Sequence, residues 1–182
     1  MKVVDLAGME MLLRQWAGDN HTLLVSVDGL PASGKSTFCA HIASSLSADH
    51  IPVDSFVDRG MGEYVPHLRP DDLRNRLRSA EEAGGIVLVD GICIEAVLQR
   101  IDIAPARRLY VMQLDSRSDW IDGELFSSDL TEDGAVVQEQ ELAPSFGGSL
   151  SPRREEIIRY HFRFTPQDMA DAVYAHYDAP EA

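Results

Sequence analysis

Residues 24–37 read Leu-Val-Ser-Val-Asp-Gly-Leu-Pro-Ala-Ser-Gly-Lys-Ser-Thr, an apolar run followed by Gly29, four variable positions, and then Gly34-Lys35-Ser36. The apolar stretch 22–27 has the character of a buried strand and 36–46 that of a helix, so the chain must pass from strand to helix through a glycine-framed loop. In such a loop successive backbone N–H groups face one point, and the following helix turns its positive dipole end towards it. That concavity suits phosphate oxygens, which makes Gly29, Ala32, Ser33, Gly34, Lys35, Ser36 and Thr37 the candidates for holding a nucleoside triphosphate. Lys35 supplies a point charge for the β- and γ-phosphates, and the Ser36 hydroxyl is placed to ligate Mg²⁺.

The chain has 182 residues, 45% of them hydrophobic, enough for one substantial core and short for two. Its formal net charge of −14, with no basic block, argues against a nucleic-acid surface, so a phosphate site must act locally against the field of the whole protein. Cys39 and Cys93 lack metal-ligand spacing and fit reduced packing positions. The first residues carry no basic region followed by an apolar stretch, and no apolar run nears bilayer-spanning length. The expectation is a cytoplasmic protein without a membrane partner.

Along the sequence, apolar strand-like segments alternate with helical ones. Residues 3–16 suit an amphipathic helix; 22–27, 50–53, 86–89, 109–114 and 172–176 suit strands; 36–46, 70–83, 94–100 and 152–163 suit helices. Strands buried on both faces and separated by helices imply an α/β fold: a three-layer sandwich in which a five-stranded parallel sheet is flanked by helices. Right-handed crossovers gather the strand ends on one rim, where Gly29, Asp54, Asp90 and Asp115 are expected to meet.

Two of those carboxylates have a chemical reading. Asp90, closing Ile86-Val87-Leu88-Val89, is the candidate partner of Ser36 at Mg²⁺, although strands also end in Asp simply to begin a turn. Asp54, at the end of the second strand, is the candidate to accept the proton of an attacking hydroxyl; Asp58 is its nearest competitor, and Asp54-Ser55 also suits a turn cap.

The order Gly29…Gly34-Lys35-Ser36-Thr37, Val53-Asp54-Ser55-Phe56, Tyr64…His67…Pro70-Asp71, Val89-Asp90-Gly91 and Tyr160…Pro166…Ala170-Asp171-Ala172-Val173 resembles the uridine kinase and pantothenate kinase group of P-loop kinases, over about residues 22–176. The resemblance implies an ATP- and Mg²⁺-dependent transfer of the γ-phosphoryl group to a hydroxyl of a small molecule, a nucleoside or a vitamin-like alcohol. It also implies Asp54 as base and Tyr64, His67 and Arg69 as acceptor contacts. The chain departs from the group at Val57 and Asp58, where uridine kinases carry a tyrosine, and at His67-Leu68-Arg69-Pro70, which stands in place of a His-Pro pair.

The stretch 116–151 has no clear period and is long for a connection, and with 152–163 it forms a lid or insertion within one domain spanning 1–182. Gly123, Gly134, Gly147 and Gly148 suit a mobile lid that excludes water, or equally a solvated insertion or subunit contact. Guanidinium groups at Arg153, Arg154 and Arg159 suit the charge of a transferring phosphoryl group, although the same spacing allows salt bridges to Glu155 and Glu156. A second class of function, a nucleotide-dependent switch or NTP hydrolase working through a protein partner, shares the phosphate loop but not the acceptor-like residues.

Overall fold

The computed structural model describes residues 3–18, 21–58, 60, 62–127, 129–143 and 148–177. The chain order is β1 (Val3–Val4), α1 (Leu6–Ala17), β2 (Thr22–Asp28), α2 (Lys35–Leu46), β3 (Asp49–Pro52), α3 (Pro70–Ala83), β4 (Gly85–Asp90), α4 (Ile94–Arg100), β5 (Arg107–Leu114), α5 (Glu132–Leu142), α6 (Pro152–Phe164), α7 (Pro166–Met169) and β6 (Ala172–Tyr177). Short 3-10 turns occupy Val53–Phe56, Val65–His67 and Gly123–Phe126. Among the described residues no helix is long and apolar enough to cross a membrane.

The sheet is parallel throughout, in the order β1-β6-β5-β2-β4-β3. Its five main strands are those expected, and the two-residue β1 extends it at the β6 edge. Val3 and Val4 leave the expected helix because the Asp5 carboxylate accepts from the Gly8 N–H at 2.8 Å and so starts α1 at Leu6. β2 lies between β4 and β5; the connection leaving β2 runs through α2 to β3 on one side, and that leaving β4 runs through α4 on the opposite face to β5 on the other, which opens a crevice at their C-terminal ends.

Side-chain alternation along β2 divides the core. Leu23, Val25 and Val27 pack with Met9 and Leu13 of α1 and with Phe38 and Ile42 of α2, whereas Leu24 joins Leu73 and Leu77 of α3 and Val97 and Leu98 of α4 on the other face. Each such leucine, fully buried, contributes on the order of 2 kcal/mol. A further cluster joins Leu30 of the loop to Cys93 and to Ile157 and Tyr160 of α6, so α6 is bound to the rim of the sheet.

The stretch without sequence periodicity contains a helix after all. α5 is capped by the Thr131 hydroxyl, which accepts from the Gly134 N–H at 3.1 Å, and it buries Ala135 and Val136 against Leu125 and Ile158. Only this short apolar side meets α6, too little to leave a repeat in the sequence. Gly147 lies outside the described residues.

Candidate functional site

The loop after β2 takes left-handed backbone at Ala32 and Gly34, and Gly29 also has positive φ. A side chain at Gly29 would place its Cβ 2.5 Å from the Val111 carbonyl oxygen, and one at Gly34 would stand 2.8 Å from His176 Nε2. Only glycine fits either place. α2 begins at Lys35, whose buried ammonium donates to the carbonyls of Gly29 at 2.8 Å and Leu30 at 2.6 Å. Burial lowers its pKa, and the charges of Asp28, Asp90 and Asp54 oppose that.

Register brings the acids together. In the sheet Asp90 lies beside both Val27 and Pro52, so the ends of β2, β3 and β4 meet at its carboxylate. One oxygen accepts from the Ser36 hydroxyl at 3.1 Å, and the other meets His50 Nε2 at 2.6 Å. Two hard oxygen donors, a hydroxyl and a carboxylate, at the foot of an open cleft are the donor set a magnesium ion takes.

Asp54 stands in the 3-10 turn after β3, and its Oδ1 accepts from the Tyr64 hydroxyl at 2.6 Å. Gly91 makes this possible, because a Cβ there would come within 3.1 Å of both the Tyr64 hydroxyl and Val53 Cβ. Burial and the neighbouring Asp54 raise the pKa of Tyr64, which stays a donor. Tyr64 is in turn held from α6: Glu156 accepts from the backbone N–H groups of Tyr64 and Val65, while Arg153 lies over the Tyr64 ring, 5.8 Å from its centroid, and donates to the Gly62 carbonyl at 3.2 Å.

Lys35, Ser36, Thr37, Asp54, Asp90 and Arg153 all line one cleft of about 440 Å³, together with Ala32 and Gly34 of the loop. A recess of about 260 Å³ adjoins it, walled by Val57, Asp58 and Gly60, and Asp54, Tyr64 and Arg153 belong to both.

Other expected site residues lie outside both walls. His67 uses its backbone, donating to Tyr64 O at 3.3 Å and accepting from Asp58 at 3.0 Å. Arg69 fastens Asp58, Asp72 and the Ser55 carbonyl. Arg154 pairs with Glu139 and Asp122, and Arg159 with Glu132, Asp133 and Glu155. Asp115, expected on the rim with Asp90, caps its own turn by accepting from the N–H groups of Arg117 and Asp119.

Sequence reasoning passed over Asp28, His50, Tyr160 and Glu156 as site residues. Asp28 is buried beneath the loop, accepts from the Gly29 N–H at 2.7 Å and from the Tyr160 hydroxyl, and is pushed up to about pKa 7 by burial. The acid immediately before Gly29 was the one visible signal.

No protein-family model matches the sequence, and no curated protein matches it. Among solved structures, a possible uridine kinase from Bacillus stearothermophilus superposes with a TM-score of 0.51 at 13% identity, covering 91% of this chain and 96% of that one. A candidate fructose transport system kinase from Silicibacter sp. superposes with a TM-score of 0.50 at 11% identity, covering 94% of this chain and 99% of that one. With its parallel sheet, its glycine loop at the β2 crevice and these neighbours, the chain has the fold of the P-loop kinases.

Proposed function

We propose that this protein is a kinase that transfers the γ-phosphoryl group of ATP to a hydroxyl of a small molecule. The observation that carries the reading is the sharing of Asp54, Tyr64 and Arg153 between the phosphate-loop cleft and the adjoining recess. A triphosphate in the first and an alcohol in the second would meet at the Asp54 carboxylate.

In this reading the loop amides and Lys35 hold the β- and γ-phosphates, with the Lys35 ammonium exchanging its present carbonyl partners for phosphate oxygens. Ser36 and Asp90 would hold Mg²⁺, which when bound neutralises charge on the β- and γ-oxygens. Asp54 orients the acceptor hydroxyl and takes its proton as the oxygen attacks phosphorus; Tyr64 fixes the direction of that carboxylate. Of the three candidate arginines, Arg153 lines the cleft and is assigned to the transferring phosphoryl oxygens. The acceptor is an alcohol of sugar or nucleoside size, to match a recess of about 260 Å³.

The test is ATP consumption by the full chain with Mg²⁺ against nucleosides, sugars and vitamin-like alcohols, repeated with Asp54→Asn. One acceptor should raise turnover well above the rate with ATP alone, and Asp54→Asn should remove that increment while nucleotide affinity stays near wild type. Hydrolysis that ignores every acceptor and answers only to a protein partner would replace this reading with the switch or hydrolase.

A further inference from the structure

Around the Asp90 carboxylate the structure gathers three different donors. Cys39 stands one turn after Ser36 on α2, His50 near the start of β3, and Asp90 at the end of β4. The Cys39 Sγ, a His50 ring nitrogen and an Asp90 carboxylate oxygen all lie within 4.8 Å of one another, and they form the one such trio of histidine, cysteine and carboxylate groups among the described residues. From this trio we infer that the protein binds a borderline-soft divalent cation, of the Zn²⁺ or Co²⁺ class, through Cys39 Sγ, His50 Nε2 and Asp90 Oδ1.

The donor chemistry selects the ion. A thiolate and an imidazole beside one carboxylate favour Zn²⁺ or Co²⁺ over Mg²⁺ or Ca²⁺, which take oxygen. Size agrees as well. Bonds of about 2.0–2.3 Å to a tetrahedral ion set its ligand atoms about 3.5 Å apart. The present separations, 2.6 Å between His50 and Asp90 and at most 4.8 Å to Cys39, bracket that edge, so ångström-scale side-chain adjustment closes the site.

Access and connection follow from the surroundings. Asp90 lines the open cleft and His50 keeps a partly exposed edge, so two of the three donors face outward, with the fully buried Cys39 beside them. Coordination replaces the Cys39 thiol proton, which leaves to solvent, and takes the Nε2 lone pair of neutral His50, whose ring proton moves to Nδ1; a water fills the fourth position. Because Ser36 occupies the other Asp90 oxygen, a soft cation would bear directly on the carboxylate that the proposed chemistry assigns to Mg²⁺, which suits a metal-responsive control of that site.

The experiment needs no turnover. Full-length reduced protein is titrated with CoCl₂ and followed by absorption. The expected result is one Co²⁺ per chain, with a thiolate-to-cobalt charge-transfer band in the near ultraviolet, visible bands of tetrahedral intensity, displacement by equimolar Zn²⁺ and indifference to excess Mg²⁺. Cys39→Ser should remove the charge-transfer band and Cys93→Ser should keep it. His50→Gln, at a partly exposed position and keeping a polar side chain beside Asp90, should weaken Co²⁺ binding by about 100-fold or more. Absence of the charge-transfer band in the wild type, its survival in Cys39→Ser, its loss in Cys93→Ser, or unchanged affinity in His50→Gln would each overturn the site and leave a hydrogen-bonded His50–Asp90 pair only.

Discussion

His161→Gln tests how α6, which carries Arg153, Glu156 and Tyr160 to the site, is fastened to the sheet. His161 is buried, its Nδ1 lies 2.9 Å from the Ile157 carbonyl and its Nε2 3.1 Å from the Tyr110 hydroxyl, and it stacks on Phe126. That network assigns the proton to Nδ1, with Nε2 accepting from Tyr110. Burial pushes its pKa from 6.5 down to about 4; the Ile157 carbonyl opposes this, and the Arg154 and Lys35 charges add to it. The sign follows directly. Between about pH 4 and 6.5 the unfolded chain takes up a proton that the folded one refuses, so stability rises with pH across that window and is lost as pH falls through it.

At about 1.4 kcal/mol for each tenfold change in proton affinity, the window is worth about 3 kcal/mol. That is a large share of the 5–15 kcal/mol or so typical of a domain. Glutamine keeps a donor and an acceptor but cannot titrate. Asp28 acts oppositely, since a folded pKa of about 7 against 3.8 unfolded gives stability that fades as pH rises between those values. The informative quantity is therefore the difference between wild type and His161→Gln, in which Asp28 cancels. Urea denaturation at several pH values should show the wild type losing about 3 kcal/mol relative to the variant between pH 7 and pH 4. A difference that does not change with pH would refute the assignment.

Three more outcomes are expected. Gly34→Ala imposes a Cβ 2.8 Å from His176 Nε2 at a φ of +82°, with a strain on the order of 1–2 kcal/mol, and calorimetric titration should show nucleotide affinity falling by about tenfold or more. Tyr160→Phe leaves the buried Asp28 carboxyl with the Gly29 N–H alone and should destabilise the fold by about 1–3 kcal/mol in urea, whereas an unchanged midpoint would remove this contact from the account. Arg153→Ala should lower acceptor-dependent kcat by about 100-fold or more, and by clearly more than Arg159→Ala; equal effects would return the choice of arginine to the whole α6 cluster.

The strand-loop-helix around Gly29 and Gly34 was legible because it is encoded in neighbouring residues, as were the five main strands and the helices with an apolar face. β1 and α5 were not. Two residues carry no period, and α5 buries only Ala135 and Val136. Ser36, Asp54 and Asp90 could be named as candidates, since each lies at the end or start of a periodic element.

Sequence by itself determined the parallel sheet and the side of it on which chemistry would gather, because hydrophobic periodicity and glycine placement are local and the handedness of crossovers is general. Tertiary structure alone decided which charges face that rim. Asp90 meets His50 across 40 residues, Asp28 meets Tyr160 across 132, and Tyr64 is held by Glu156 from 92 residues away. Arg153 reaches the cleft while Arg154 and Arg159 are drawn into carboxylates of α5 and its surroundings. A helix rotates about 100° from one residue to the next, so adjacent arginines point to different neighbours, and only the packing of α6 fixes which of them the site receives.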